Sequence, residues 1–341
     1  MRRLAQVLVL GSLGACGGET TAGPTDLAFR PRDAAMDAAM DAPAEALADV
    51  PTDGQLPAQA TDGQLPAQAT DGQLPAQATD GQLPAQAGGD RPARVLLPEN
   101  HDPATTWPLV LLIHGYRSSA AFTDQMLGLS SRVSLDGFVL LLPEATLDGD
   151  GFSRWNQDPA MGAGPDDVGY LTALLRESIA RYAIDPQRVY VVGHSNGGYM
   201  AYRLACEIPE LITAIAPLGC SSQIGDDECA PDGPPVNLLH AHGGLDLAHP
   251  YDGSGGERAI EAVVERHASQ IGCGAPDADE GPFDFDTTIA GAETEIRTWS
   301  TCERGTRVMR WKLNDVGHLP FFTAAGTERY VRDLLSLVRT P

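Results

Sequence analysis

Five consecutive residues, Gly193, His194, Ser195, Asn196 and Gly197, place one hydroxyl between two glycines. A serine in that pattern can act as a nucleophile if a base takes its proton and an acid orients the base. The pentapeptide alone says little, because Gly-x-Ser-x-Gly arises by chance in many chains. Its surroundings are more specific: the apolar run "VYVV" precedes it and a helical pattern, "GGYMAYRLACEI", follows. A strand, a sharp turn and a helix are what a nucleophile elbow requires, with small residues where neighbouring backbone passes close. Otherwise Ser195 is only the hydroxyl of a glycine-rich turn.

On such an elbow the acid and then the histidine follow the serine, each on a loop after a later strand. The stretch "PVNLLHAHGGLDLAHPYDG" supplies Asp246 just beyond a strand. Its rivals are Asp232, which precedes that strand, and Asp252, further along the loop where it would cap a turn. His318, in "RVMRWKLNDVGHLPFF", follows the last strong strand. Among the other histidines, His267 sits inside a helix, His240 and His242 end a strand, and His249 shares the Asp246 loop. Only His318 has both the order and the loop. An oxyanion would be met by the backbone N–H of Asn196 and by a second N–H after the strand ending "LLIHGY", that of Tyr116. His114 and Gly115 shape that turn. Trp155 either lines the mouth of the site or holds its own loop down.

The elements that must position these residues are legible as alternation. "ARVLLP", "WPLVLLIHG", "GFVLLLPEA", "RVYVVG", "LITAIAPLG", "PVNLLHAHG" and "RVMRWKLND" read as strands. Between and after them, "DDVGYLTALLRESIARYAI", "GGYMAYRLACEI", "ERAIEAVVERHASQIG" and "TAAGTERYVRDLLSLVR" carry helical spacing. Strands alternating with helices imply an α/β domain, a mostly parallel sheet with helices on both faces, with ligands at the carboxyl ends of the strands.

With these pieces in place, residues 91–341 resemble the secreted polyhydroxybutyrate depolymerase and feruloyl esterase family of α/β-hydrolases. The resemblance rests on "DDVGYLTALL", "IDPQRVYVVGHSNGGYMAYRLACEIPELITAIAPLG", "HAHGGLDLAHPYDG" and "GHLP", in the family's order and spacing. It implies hydrolysis of carboxylic esters without metal or cofactor, and gives the catalytic roles to Ser195, Asp246 and His318. It also implies a disulfide between Cys273 and Cys302. One departure is visible: many members read Gly-His-Thr-Trp-Pro-Gly where this chain reads "GHLPFF", with Phe321 and Phe322 near the missing tryptophan. No separate polymer-binding module is read in the chain, so action on an insoluble polyester is disfavoured.

Five cysteines follow Cys16, an odd number for an exported domain, so one is expected free. Cys220 and Cys229 enclose a polar loop and could pair, while Cys206 reads as a small buried hydrophobe. Their spacing does not resemble a zinc site.

The first ninety residues build no core. Residues 1–15 read as a signal peptide, with Arg2 and Arg3 ahead of a short apolar stretch. "LGAC", ending at Cys16, resembles the lipobox of bacterial lipoproteins, which implies lipidation there; Gly17 and Gly18 follow in place of an inner-membrane retention aspartate. The expected location is the outer membrane or cell surface, with plain secretion as the alternative. Residues 16–90 read as a disordered acidic tether, in which "TDGQLPAQA" occurs four times from Thr52 to Ala87. Each repeat offers one leucine beside a proline, too little burial to offset the entropy of ordering nine residues.

The formal net charge is -23, of which residues 91–341 carry -15. Nucleic acid is thereby excluded as a partner, since phosphate binding needs clustered Lys and Arg. The partner expected instead is a small-molecule or oligomeric ester. Two alternatives stand beside the esterase: a non-catalytic surface binding protein on a hydrolase scaffold, and a prolyl oligopeptidase-like peptidase. The peptidase is disfavoured because no propeller pattern is present to gate peptides.

Overall fold

A computed structural model describes residues 86–158, 164–223 and 233–339. The signal peptide, Cys16, the tether up to residue 85, Asp232 and Cys229 lie outside the described residues.

Among the described residues, ten strands form one sheet. In chain order they are β1 (Gln86–Ala87), β2 (Ala93–Leu96), β3 (Trp107–Ile113), β4 (Val139–Leu142), β7 (Ile184–His194), β8 (Ala214–Leu218), β9 (Asn237–Gly243), β10 (Glu280–Phe283), β11 (Thr294–Trp299) and β12 (Val308–Leu313). A separate two-stranded hairpin pairs β5 (Thr146–Leu147) with β6 (Ser153–Arg154). The spatial order is β1-β2-β4-β3-β7-β8-β9-β12-β11-β10. The six strands from β4 to β12 run parallel, and antiparallel strands close both edges. The sheet is therefore mixed.

The central strands are apolar throughout because both faces are covered. Along β3, Leu109, Leu111 and Ile113 enter one core while Val110 and Leu112 enter the other. Helices α2 (Asp167–Arg181), α3 (Asn196–Glu207) and α4 (Ile260–Gln270) cover the first face through residues such as Leu171, Met200 and Val264. Helices α1 (Ala120–Leu127) and α5 (Ala324–Ser336) cover the second through Met126, Tyr330 and Leu334. The start of α2 follows from Asp166, whose carboxylate accepts from the Gly169 N–H at 2.8 Å as an N-cap.

Two boundaries differ from the sequence reading. Gln86 and Ala87 already pair with Arg94 and Ala93, so the sheet takes up the end of the fourth repeat and the domain begins ahead of residue 91. Ala87 is buried, which ties this end down. The sheet also continues past β12 into β11 and β10, which short length and mixed burial conceal in the sequence.

Candidate active site

Ser195 stands between the last residue of β7 and the first of α3, with φ 52° and ψ −118°. A non-glycine residue at positive φ is strained, and such strain persists only where the surroundings impose it. The flanking glycines show what imposes it. A Cβ on Gly193 would lie 2.1 Å from the Gly197 carbonyl oxygen, and one on Gly197 would lie 2.1 Å from the Ile113 carbonyl oxygen. Helix α3 thus approaches β3 and β7 more closely than any side chain allows. The Ser195 N–H donates to the Leu218 carbonyl at 2.8 Å, which continues the β7–β8 ladder up to the serine itself.

Asp246 lies three residues beyond β9, and His318 on the loop after β12. His318 Nδ1 donates to Asp246 Oδ2 at 2.8 Å. Asp246 Oδ1 accepts from the backbone N–H of Ala248 and of His249, each at 2.9 Å. Burial opposes the Asp246 charge, but the hydrogen bonds from His242 and His318 outweigh it and hold the carboxyl well below the usual range. The three residues sit at the carboxyl ends of β7, β9 and β12. Among the described residues no hydrogen bond joins Ser195 Oγ to His318; such contacts are often long before substrate binds.

His194, inside the pentapeptide, does work the sequence did not reveal. Its ring lies 4.8 Å from that of His318, and its Nε2–H donates to the His318 carbonyl at 2.9 Å. Full burial, with His318 beside it, pushes its pKa down to about 3, so it is a neutral donor that fixes the histidine loop.

The Asn196 side chain brackets the backbone of Trp155: Oδ1 accepts from the Trp155 N–H at 2.8 Å and Nδ2 donates to the Trp155 carbonyl at 3.1 Å. The Trp155 indole N–H in turn donates to the His114 carbonyl at 3.0 Å. Trp155 is fully buried, so of its two readings it is the loop anchor and not a lining of the mouth. It joins the start of α3 to the turn after β3, the two places expected to supply oxyanion donors. His114 Nε2 accepts from the Ala145 N–H at 3.0 Å, a bond that shapes this turn. Tyr116 is half-buried, its ring edge-on to Phe152.

Cys273 and Cys302 form a disulfide. The other cysteines reverse the expectation. Cys220 is the free one, buried in the core under α3, so it does not pair with Cys229. Cys206 is disulfide-bonded. Phe322 is buried against Trp311 and Tyr330, while half-buried Phe321 meets Phe122 edge-on.

Residues 96–230 match the family described as esterase PHB depolymerase, a span that contains Ser195 and ends before Asp246 and His318. The chain has an α/β-hydrolase fold and is related over that span to these esterases. A bifunctional acetylxylan esterase/xylanase, XynS20E, from Neocallimastix patriciarum is 26% identical over 68% of this chain and 31% of its own length. A putative esterase, NocK, from Nocardia uniformis subsp. tsuyamanensis is 28% identical over 62% of this chain and 64% of its own. The chain therefore spans less than two thirds of either relative. Among solved structures, an acetyl xylan esterase from Aspergillus awamori superposes with a TM-score of 0.52 at 17% identity, covering 74% of this chain and all of its own, a likeness of fold.

Proposed function

We propose that the chain is a serine carboxylesterase, exported and held at the outer membrane or cell surface by a lipid on Cys16, that cleaves feruloyl-type or short hydroxyalkanoate esters. The observation that carries the reading is the strained Ser195 backbone (φ 52°) at the end of β7, beside a buried carboxylate holding an imidazole at 2.8 Å. Ser195 Oγ attacks the ester carbonyl carbon while His318 Nε2 takes its proton. The N–H groups of Asn196 and Tyr116 receive the developing oxyanion. The bond to the leaving alcohol breaks, and His318 returns the proton to the alcohol oxygen. Water, deprotonated by His318, then attacks the acyl-serine; the acid leaves and the proton returns to Ser195 Oγ. Asp246 holds the Nδ1–H tautomer and balances the imidazolium throughout.

Exposed Leu245 and Leu247 flank Asp246, and exposed Leu319 follows His318. Apolar side chains next to the acid and the base favour an aromatic or aliphatic acyl group over a charged one. The test is hydrolysis of nitrophenyl acetate and butyrate, methyl ferulate and hydroxybutyrate oligomers by the full exported chain and by Ser195→Ala. Turnover confined to the wild type supports the reading, and its best substrate chooses the acyl class. A folded wild type no faster than the alanine variant overturns it. Radiolabelled palmitate should enter the wild-type chain and be absent from Cys16→Ser; equal labelling rejects the anchor.

A further inference from the structure

Strand β9 reads "NLLHAHG", and its two-residue period turns His240 and His242 to the same face. Both are fully buried, and their rings stack 5.7 Å apart at 5°. The proposed mechanism uses neither. Yet His242 Nε2 lies 3.4 Å from Asp246 Oδ2, the oxygen that also receives His318 Nδ1–H.

One acceptor dictates the direction of every proton in this group. His242 Nε2 is 2.8 Å from the backbone carbonyl of His249, and a carbonyl can only accept, so that nitrogen carries hydrogen. In neutral His242 the other nitrogen, Nδ1, is then a lone pair. It faces His240 Nε2 at 3.4 Å, which must therefore be the N–H of His240. Burial pushes the His240 pKa well below its ordinary value, so this ring is neutral and its Nδ1 is a lone pair as well. At 2.8 Å from that lone pair lies the Tyr202 hydroxyl, which donates. Tyr202 is itself buried on α3.

We infer that Tyr202, His240 and His242 form a one-way hydrogen-bond relay whose last N–H is held by the His249 carbonyl at 2.8 Å with Asp246 Oδ2 as its second, longer neighbour at 3.4 Å, and that His242 is a positioning residue for the Asp246–His318 couple. This deepens the esterase reading and rests on it for its catalytic consequence. Asp246 Oδ2 thus faces two imidazole N–H groups: that of His318 at 2.8 Å, mobile in the reaction, and at 3.4 Å that of His242, which the core fixes through the His249 carbonyl. The fixed donor holds the carboxylate in place and tempers its pull on the His318 proton. Other titratable groups face the relay. Tyr251 meets His242 edge-on at 5.7 Å; Arg310 and Lys312 on β12 stand opposite His240 and His242; His267 lies near His240. On the far side of Asp246 stand His249, paired with Glu257, and His194.

The experiment is nitrogen-15 NMR of the imidazoles in the full-length wild type, His242→Leu and His242→Gln, with ester kinetics on the same samples. His242 and His240 should each carry a single proton, on Nε2, in the wild type. Without the fixed donor the carboxylate pulls harder on the remaining proton, so His318 should titrate at higher pH in His242→Leu. The kcat should fall about tenfold, the cost of one lost hydrogen bond to a charged group, with KM within about twofold. Glutamine restores an N–H donor and should return His318 toward its wild-type titration. A doubly protonated or Nδ1-protonated His242, or an unmoved His318 titration in folded His242→Leu, overturns the relay. If the leucine variant does not fold, the wild-type tautomers and the glutamine variant decide. The imidazole signals do not depend on turnover, so a wild type inactive on every ester would reject the esterase reading and leave the relay to be judged on its tautomers.

Discussion

Two carboxylate–imidazole pairs lie side by side in this fold, their imidazole rings 5.4 Å apart. In one, Asp246 takes the His318 Nδ1–H at 2.8 Å; in the other, Glu257 takes the His249 Nδ1–H at 2.9 Å. Distance does not separate them. Surroundings do: the His318 side chain keeps 16% of its surface, whereas His249 Nε2 is buried with no partner among the described residues. The Glu257 carboxylate also receives the Tyr199 hydroxyl at 2.6 Å, which ties this pair into the core. A hydrogen-bonded acid and histidine become a candidate catalytic couple only where the second nitrogen can reach a substrate.

The contrast is broken most strongly at the carboxylates. Asp246→Asn should lower kcat by about four orders of magnitude, the cost of the wrong imidazole tautomer in a serine triad. Glu257→Gln should cost less than about tenfold, because the proposed mechanism gives the reacting proton to His318 and not to His249. Ester kinetics on both variants check this, and comparable losses would make the second pair part of the chemistry. A fluorophosphonate probe, which reports the nucleophile, should label wild type and Glu257→Gln alike and Asp246→Asn far more slowly.

Much of the first pair was legible in the sequence and almost none of the second. Ser195, Asp246 and His318 are each announced by a strand that ends just before them, and chain order ranks them. His249 and Glu257 sit on one irregular loop, where no period fixes a direction. His240 and His242 carry a signal of their own: two histidines in alternation on a strand, six and four residues ahead of the proposed acid. His194 lies inside the pentapeptide, at a position whose residue type the pattern leaves open. The cysteines misled for another reason. Cys220 is followed by a polar loop, which suggested pairing within it, but its Sγ lies only 2.5 Å from where a Cβ on Gly198 would stand. It fills the space under α3, a packing role that spacing cannot display.

A third imidazole sharpens the comparison through stability. His194 stays neutral in the folded protein down to about pH 3, whereas in an unfolded chain it titrates near 6.5. Between those values the unfolded state holds the extra proton, so stability is complete above 6.5 and falls as pH drops toward 3. One proton is worth about 1.4 kcal/mol per pH unit across that window. His194→Gln, which can still donate to the His318 carbonyl, should flatten the slope of unfolding free energy against pH by about one proton. Denaturant titrations between pH 4 and 7 measure it, and an unchanged slope would mean that His194 is protonated in the fold.

The smallest expected effect lies at Tyr199, where the second pair meets the core. Its hydroxyl donates to Glu257 and accepts from the Ser221 N–H at 3.2 Å. Tyr199→Phe removes one atom and leaves a buried N–H and a carboxylate oxygen each short of a partner. That should cost about 1–3 kcal/mol, a fall in Tm of roughly 2–12 °C for a domain of this size. Because Glu257 still holds His249, and His249 does not carry the reacting proton, kcat should stay within about threefold. Thermal unfolding with ester kinetics on one preparation separates the two outcomes. A stable variant with strongly reduced turnover would mean that the two imidazoles act together, and that burial is not what distinguishes them.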